Sequence, residues 1–251
     1  MPALAFHNIS NQGIGFTNIS RERFAQIIRF INEKDFEVFN PECYDLDRIT
    51  NGVLFIFDDA YKALIENALP IMERYGYKGI IPVITGYVGR TNAWDLGGGN
   101  IFHLNWDELR YFSKNGWKIA SHTIHHPDLT KLSKGILLKE LYHSRLVLEE
   151  KIGIKIDTIV YPFGRMNQNV MNMARKAGYK YGFGGLRRAD TYKNPLAILR
   201  IPVYSIDPLS FIAAKIASKG FLYRCDRLKN RFISRFSLFT VYARRHTYKN
   251  L

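Results

Sequence analysis

Residues 52–59 read GVLFIFDD, from Gly52 to Asp59. An uncharged, strongly apolar run of this length predicts a buried strand. Asp58 and Asp59 close it. Two carboxylates at the end of such a run are costly unless they face a site that uses them.

On both sides of this run, strand-like and helix-like segments alternate. PALAFHNI (2–9) reads as a strand. SRERFAQIIRFINEKD (20–35) reads as a helix capped by Ser20, with Phe24, Ile27, Ile28 and Ile31 at helical spacing. YKALIENALPIMERYG (61–76) is a helix with a break expected at Pro70 and a stop at Gly76. KGIIPVITGYVG (78–89), WKIASHT (117–123), TIVYPFG (158–164), KYGFGG (180–185) and ILRIPVYSI (198–206) are strand-like. NWDELRYFSKNG (105–116), KGILLKELYHSRLVLEEKIG (134–153) and NQNVMNMARKAGY (167–179) are helical. Such alternation implies a parallel sheet, open or closed into a barrel. No repeat, low-complexity run or linker interrupts it. The simplest division is one domain over residues 1–210 and a basic C-terminal extension over 211–251, packed on or next to it.

Composition narrows the class. With 47% hydrophobic and 14% aromatic residues the chain can bury a substantial core. No apolar run reaches the ~18 residues of a membrane-spanning helix. The start, MPALAFHNIS, lacks the pattern of a signal peptide, so a cytoplasmic location is expected, peripheral on the inner membrane surface if the tail binds lipid. Cys43 and Cys225 form no CxxC pair and read as ordinary thiols. The net charge of +14 is uneven: from Lys215 onward there are ten Lys or Arg residues and one acid, Asp226. Interleaved with Phe, Leu, Ile and Tyr, these bases suit an anionic membrane surface, the phosphate of a nucleotide- or lipid-linked substrate, or a plain solvated face. Nucleic acid has the charge in its favour and no motif.

Polar residues recur where strands end. SHTIHHPDL (121–129) holds three of the seven histidines: His122, His125 and His126. Two imidazoles four apart and one carboxylate of the Asp58–Asp59 pair could bind a divalent ion with positions left open. The other carboxylate would be free to act as a base. The same ligand set fits a non-haem iron site, so the pattern alone does not choose the reaction.

FIFDDAY (55–61), SHTIHHPDL and IVYPFG (159–164) resemble, in order and spacing, the successive motifs of the polysaccharide deacetylases, the NodB-homology or carbohydrate esterase family 4 enzymes. The resemblance runs from about Ala5 to about Tyr204. It implies an α/β fold, a distorted (β/α)7 barrel. It also implies a metal-dependent hydrolase that removes an N-acetyl or other acyl group from a carbohydrate in surface polysaccharide biosynthesis, with zinc the expected ion. The substrate would be nucleotide-linked, lipid-linked or a glycan. Carried over by motif, Asp58 is the general base and Asp59, His122 and His126 are the metal ligands. His125 fills a variable slot as an incidental, solvent-facing or outer imidazole. The YPFG turn places Tyr161 and Phe163 on the substrate side, with the Phe163 backbone N–H aimed at the oxyanion. Arg200 either orients Asp58 or is an ordinary strand-end arginine.

The chain also departs from the family's pattern. Ala60 stands where glycine is usual, and Val160 stands near the position of a frequent arginine. The usual late Leu-x-His is missing, and His246 is a poor substitute. LAFHNIS resembles an N-terminal strand that carries the acid histidine in some members, which makes His7 either the proton donor or a packing residue at the barrel mouth. The alternative function is a catalytically inactive barrel that binds carbohydrate or membrane.

Overall fold

The computed structural model describes residues 2–11, 15–41, 52–92, 101–185 and 194–243, with side chains up to residue 233. The first strand, β1 (Ala3–Phe6), is followed by a short parallel ladder of β2 (Asn8–Ile9) and β3 (Asn18–Ile19), then by α1 (Arg21–Glu33) and β4 (Glu37–Val38). Next come β5 (Gly52–Phe57), α2 (Leu69–Glu73), β6 (Ile80–Val83), α3 (Trp106–Lys114), β7 (Lys118–Ser121) and α4 (Lys134–Ile152). The chain continues through β8 (Thr158–Val160), α5 (Gln168–Lys176), β9 (Tyr181–Gly184), β10 (Ile198–Pro202), α6 (Leu209–Ala217) and α7 (Gly220–Ala243).

Strands β5 to β10 pair in sequence, and β1 bridges β10 and β5, so seven parallel strands close on themselves, with β4 appended to β5. The expected (β/α)7 barrel is therefore the fold. Strand β5 shows why it forms. All six of its residues are buried, but they serve two cores. Leu54 and Ile56 join Ala3, Ile80, Ala120, Val160 and Phe183 in the barrel interior. Val53, Phe55 and Phe57 pack outward against the helices. A continuous apolar run is what period-2 alternation becomes when both faces of a strand are covered.

Two local features differ from simple expectation. Pro70 does not break its helix. A π-helical turn at Leu64–Ala68, closed by the Leu69 N–H donating to the Leu64 carbonyl, widens the helix just before the proline. Pro70 then occupies the first turn of α2, where an N–H is dispensable. The second feature concerns the basic extension. Residue 211 lies inside α6, and Ile212, Ala214, Ile216 and Tyr223 belong to the same core as the barrel helices. The start of the tail is thus held by apolar packing against the barrel.

Candidate active site

The carboxyl ends of β1, β5, β7, β8 and β10 converge. After β5 the chain enters a tight turn in which Asp59 (φ 68°) and Ala60 (φ 55°) are both left-handed. The turn sends the two neighbouring carboxylates to different partners. Ala60 adopts there the conformation that glycine reaches without strain, at a cost of about 1–2 kcal/mol. Thr123, His126 and Phe163 also have positive φ. Strain concentrated around one cleft is typical of a working site.

Asp59 turns toward the histidines. Its Oδ1 lies 3.4 Å from His122 Nε2 and 3.7 Å from His126 Nε2, and all three side chains are buried. His122 Nδ1 sits 2.6 Å from the Val160 carbonyl. A carbonyl only accepts, so Nδ1 carries a proton and Nε2 is left directed at Asp59. Asp59 Oδ1 is buried and accepts no well-formed hydrogen bond among the described residues. Burial opposes its charge, but the His122 contact and the nearby His126 and His7 hold its carboxyl well below the usual range. One donor atom from each of Asp59, His122 and His126 lies within 4.8 Å of the others. Three converging donors spaced too widely to satisfy one another fit a divalent cation with open positions for substrate and water.

Asp58 turns the other way. Its Oδ2 accepts a hydrogen bond from Arg200 Nη1, and Arg200 Nη2 donates to the Tyr161 carbonyl at 3.3 Å. His7 Nε2 is 3.4 Å from the same Oδ2, and the His7 side chain remains 24% exposed. Oδ1 of Asp58 is buried with no hydrogen-bond partner among the described residues. The barrel register explains the meeting. Phe6 pairs with Phe57, so His7 and Asp58 are the next residues along two adjacent strands. Arg200 pairs with Ala3, an interior position, and its long side chain runs up the barrel to Asp58.

The structure thus brings together Asp58, His7, Asp59, His122, His126 and Arg200. Phe163 joins them, its ring 4.5 Å from the His126 ring. The Tyr161 side chain does not. It is fully buried in the core and its hydroxyl donates to the Leu196 carbonyl, so only its backbone oxygen reaches the site. The expectation that it touches substrate is corrected by this inward rotamer. Gly182 makes room for it, since a Cβ there would collide with that hydroxyl. Val160 fills the barrel interior, and a guanidinium reaches Asp58 from β10 instead. His246 and Cys43 lie outside the described residues, and Cys225 is a free thiol.

Sequence reading missed Glu140. It is buried on α4, and its Oε2 accepts the backbone N–H groups of Ile124 and His125 while its Oε1 meets His125 Nδ1 at 2.6 Å. It clamps the loop between His122 and His126, and His125 is part of that clamp. Nothing in LLKELYH marks this acid out from the other charges of the helix. His103 was also missed. It is buried, its Nδ1 lies 2.6 Å from the Asp59 carbonyl, and its ring stacks on Tyr61 at 4.9 Å. Burial lowers its pKa, against the pull of Asp59, so the ring is a neutral prop for the turn. A histidine inside the apolar stretch IFHL was the available signal.

A parallel seven-stranded barrel with two carboxylates and two imidazoles at its mouth defines a class of hydrolase-like sites, and the comparisons narrow it. Residues 47–182 match the polysaccharide deacetylase family model. The chain belongs to that family. It is 33% identical over 144 residues to the poly-β-1,6-N-acetyl-D-glucosamine N-deacetylase of Staphylococcus aureus, covering 54% of this chain and 48% of that protein. It is 24% identical over 188 residues to a Bacillus subtilis protein described as a polysaccharide deacetylase, covering 72% of this chain and 63% of that one. The chain therefore spans about half to two thirds of these relatives. Among solved structures, the Streptococcus pyogenes deacetylase PplD in complex with acetate superimposes with a TM-score of 0.73 at 21% identity, over 86% of this chain and 97% of that one. IcaB from Ammonifex degensii gives 0.71 at 20% identity, over 86% and 96%. These two confirm the fold.

Proposed function

We propose that the chain is a metal-dependent carbohydrate deacetylase. Its substrate would be an N-acetylated sugar of a surface polysaccharide, the S. aureus relative suggesting a β-1,6-linked N-acetylglucosamine polymer. The observation that carries the proposal is the division of labour at the turn after β5: Asp59 faces the Nε2 atoms of His122 and His126, while Asp58 next to it keeps one oxygen unengaged.

A divalent ion held by Asp59, His122 and His126, zinc being the expected one, would acidify a water and polarise the acyl carbonyl. Asp58 Oδ1 takes the proton of the attacking water. Arg200, bonded to Oδ2, fixes the carboxylate and leaves Oδ1 unengaged. The Phe163 backbone N–H, on its left-handed turn, is our candidate to stabilise the oxyanion. His7 protonates the departing amine as the carbon–nitrogen bond breaks, releasing the carboxylic acid and a free amino sugar. The inactive-barrel alternative drew on Ala60, the altered third motif and the missing late histidine; Ala60 takes the left-handed conformation open to glycine, and Arg200 and His7 both lie at Asp58, which weakens it.

The test is acetate release from β-1,6- and β-1,4-linked N-acetylglucosamine oligomers by the zinc-loaded protein. Asp58→Asn should keep the metal and lose about 10²–10⁴-fold in rate. No acetate from any acylated sugar, with stoichiometric metal bound, would establish the inactive barrel instead.

A further inference from the structure

Among the described residues, one face of α7 packs inward and another carries exposed apolar side chains. Tyr223, Asp226 and Asn230 face inward and are buried. Phe221, Leu228 and Phe232 recur at seven- and four-residue intervals, which puts them on one stripe of the opposite face. They are 77%, 63% and 63% exposed. An outward stripe of three large apolar side chains on one helix is a mark of an interaction surface.

The charges say what kind. Of the ten bases from Lys215 onward, Lys215 and Lys229 are paired with carboxylates of the fold. Lys215 Nζ lies 2.9 Å from Asp226 and 3.2 Å from Asp207, and it is fully buried. Lys229 bonds to Asp207 and lies 2.8 Å from Asp226. Asp226 is the single acid of this segment, and it is buried in that quartet. The solvent side of the helix therefore offers no carboxylate. It offers Arg224 and Arg231 as exposed bases flanking the apolar stripe, with Arg227 half-buried over the Tyr223 ring. The quartet also fixes the rotation of α7, so the stripe has no route inward.

We infer that this face of α7 docks on an anionic lipid surface. Apolar side chains enter the interface and arginines meet the acidic headgroups beside them, the pattern of an interfacial helix. The helix is not apolar enough to cross a bilayer. Its placement would matter to catalysis. Lys229 meets Asp207, shortly after the carboxyl end of β10, so this point of α7 lies at the same end of the barrel as its mouth. A lipid surface under α7 would hold the mouth next to a polymer growing from, or anchored in, that surface. The binding itself does not depend on the deacetylase reading.

The experiment is co-sedimentation of the full chain with vesicles of 70% phosphatidylcholine and 30% phosphatidylglycerol, and with pure phosphatidylcholine. Binding should favour the anionic vesicles and weaken as salt rises from 50 to 500 mM. Arg224→Glu with Arg231→Glu should weaken it about twentyfold or more, each base near such a surface being worth about fivefold. Phe221→Ser with Leu228→Ser, both at exposed positions, should weaken it about tenfold without changing the thermal melt. Indifference of the full chain to anionic vesicles would overturn the inference, as would equal binding to neutral ones. So would full binding by both double variants, which would place the activity elsewhere in the chain. Sedimentation velocity without lipid covers the remaining occupant: a dimer broken by the serine variant would assign the stripe to a second copy.

Discussion

Arg200 donates to one oxygen of Asp58 and leaves the other buried and unengaged. The two residues are 142 positions apart in sequence and meet inside a closed barrel. This is the relationship from which the proposed chemistry follows, because a carboxylate held at one end and bare at the other is positioned to accept a proton.

Replacing Arg200 by Met should leave a buried carboxylate without its partner. Loss of one member of a buried pair costs about 3–5 kcal/mol. Urea melts should show a loss of that order. Arg200→Met combined with Asp58→Asn should be more stable than Arg200→Met alone. Additive losses would mean that the pair is not coupled.

Asp59→Asn, His122→Ala and His126→Ala should each reduce zinc bound after equilibrium dialysis. The loss should exceed the roughly 10–100-fold typical of outer-sphere changes. The folded state should survive, as far-UV circular dichroism can check. Unchanged zinc stoichiometry in all three would separate these residues from any metal site.

Glu140→Ala should release the loop that carries His126. The carboxylate bonds two backbone N–H groups and the His125 ring, so about 2–3 kcal/mol of stability is expected to go with it. Zinc affinity, measured by chelator competition, should fall about 10–100-fold. Glu140→Gln keeps an acceptor and should lose less on both measures.

His7 is proposed as the acid for the leaving amine. His7→Ala should slow amide cleavage far more than cleavage of an activated acetate ester, whose leaving group needs no proton. Equal losses on the two substrates would reduce His7 to a packing role beside Asp58.

At the opposite end of the barrel, Asp157 pairs with Lys118 at 2.9 Å. Burial works against its charge, but the Lys118 and Thr158 hydrogen bonds and the Lys118 and Lys180 charges lower its pKa below the ordinary 3.8. A lowered folded-state pKa contributes stability that is present above the unfolded value and is lost as pH falls through the folded one. Asp157→Asn should therefore cost on the order of 1 kcal/mol at pH 7, with the difference from the parent shrinking as pH falls below about 4. A constant difference from pH 7 to pH 2 would contradict the pairing.

The sequence alone determined the parts that depend on local pattern. Alternating apolar runs and helical stripes announced a parallel α/β sheet, and charges at the ends of buried strands announced where a site would lie. The motifs FIFDDAY, SHTIHHPDL and IVYPFG carried the family and, through it, the barrel. The remaining contacts depend on closure of the barrel and on side-chain direction. Barrel register sets His7 beside Asp58 and lets Arg200 reach it. The Val160 carbonyl selects the His122 tautomer, and Glu140 holds the loop from a separate helix. Tyr161, read as a substrate contact, turns into the core because Gly182 leaves space for its ring. In the tail the sequence shows ten bases, and the fold pairs Lys215 and Lys229 with Asp207 and Asp226, burying the first and partly covering the second. Periodicity fixes the face on which a side chain lies. Which distant backbone or charge it meets there is set by packing and register, and these are properties of the closed barrel as a whole.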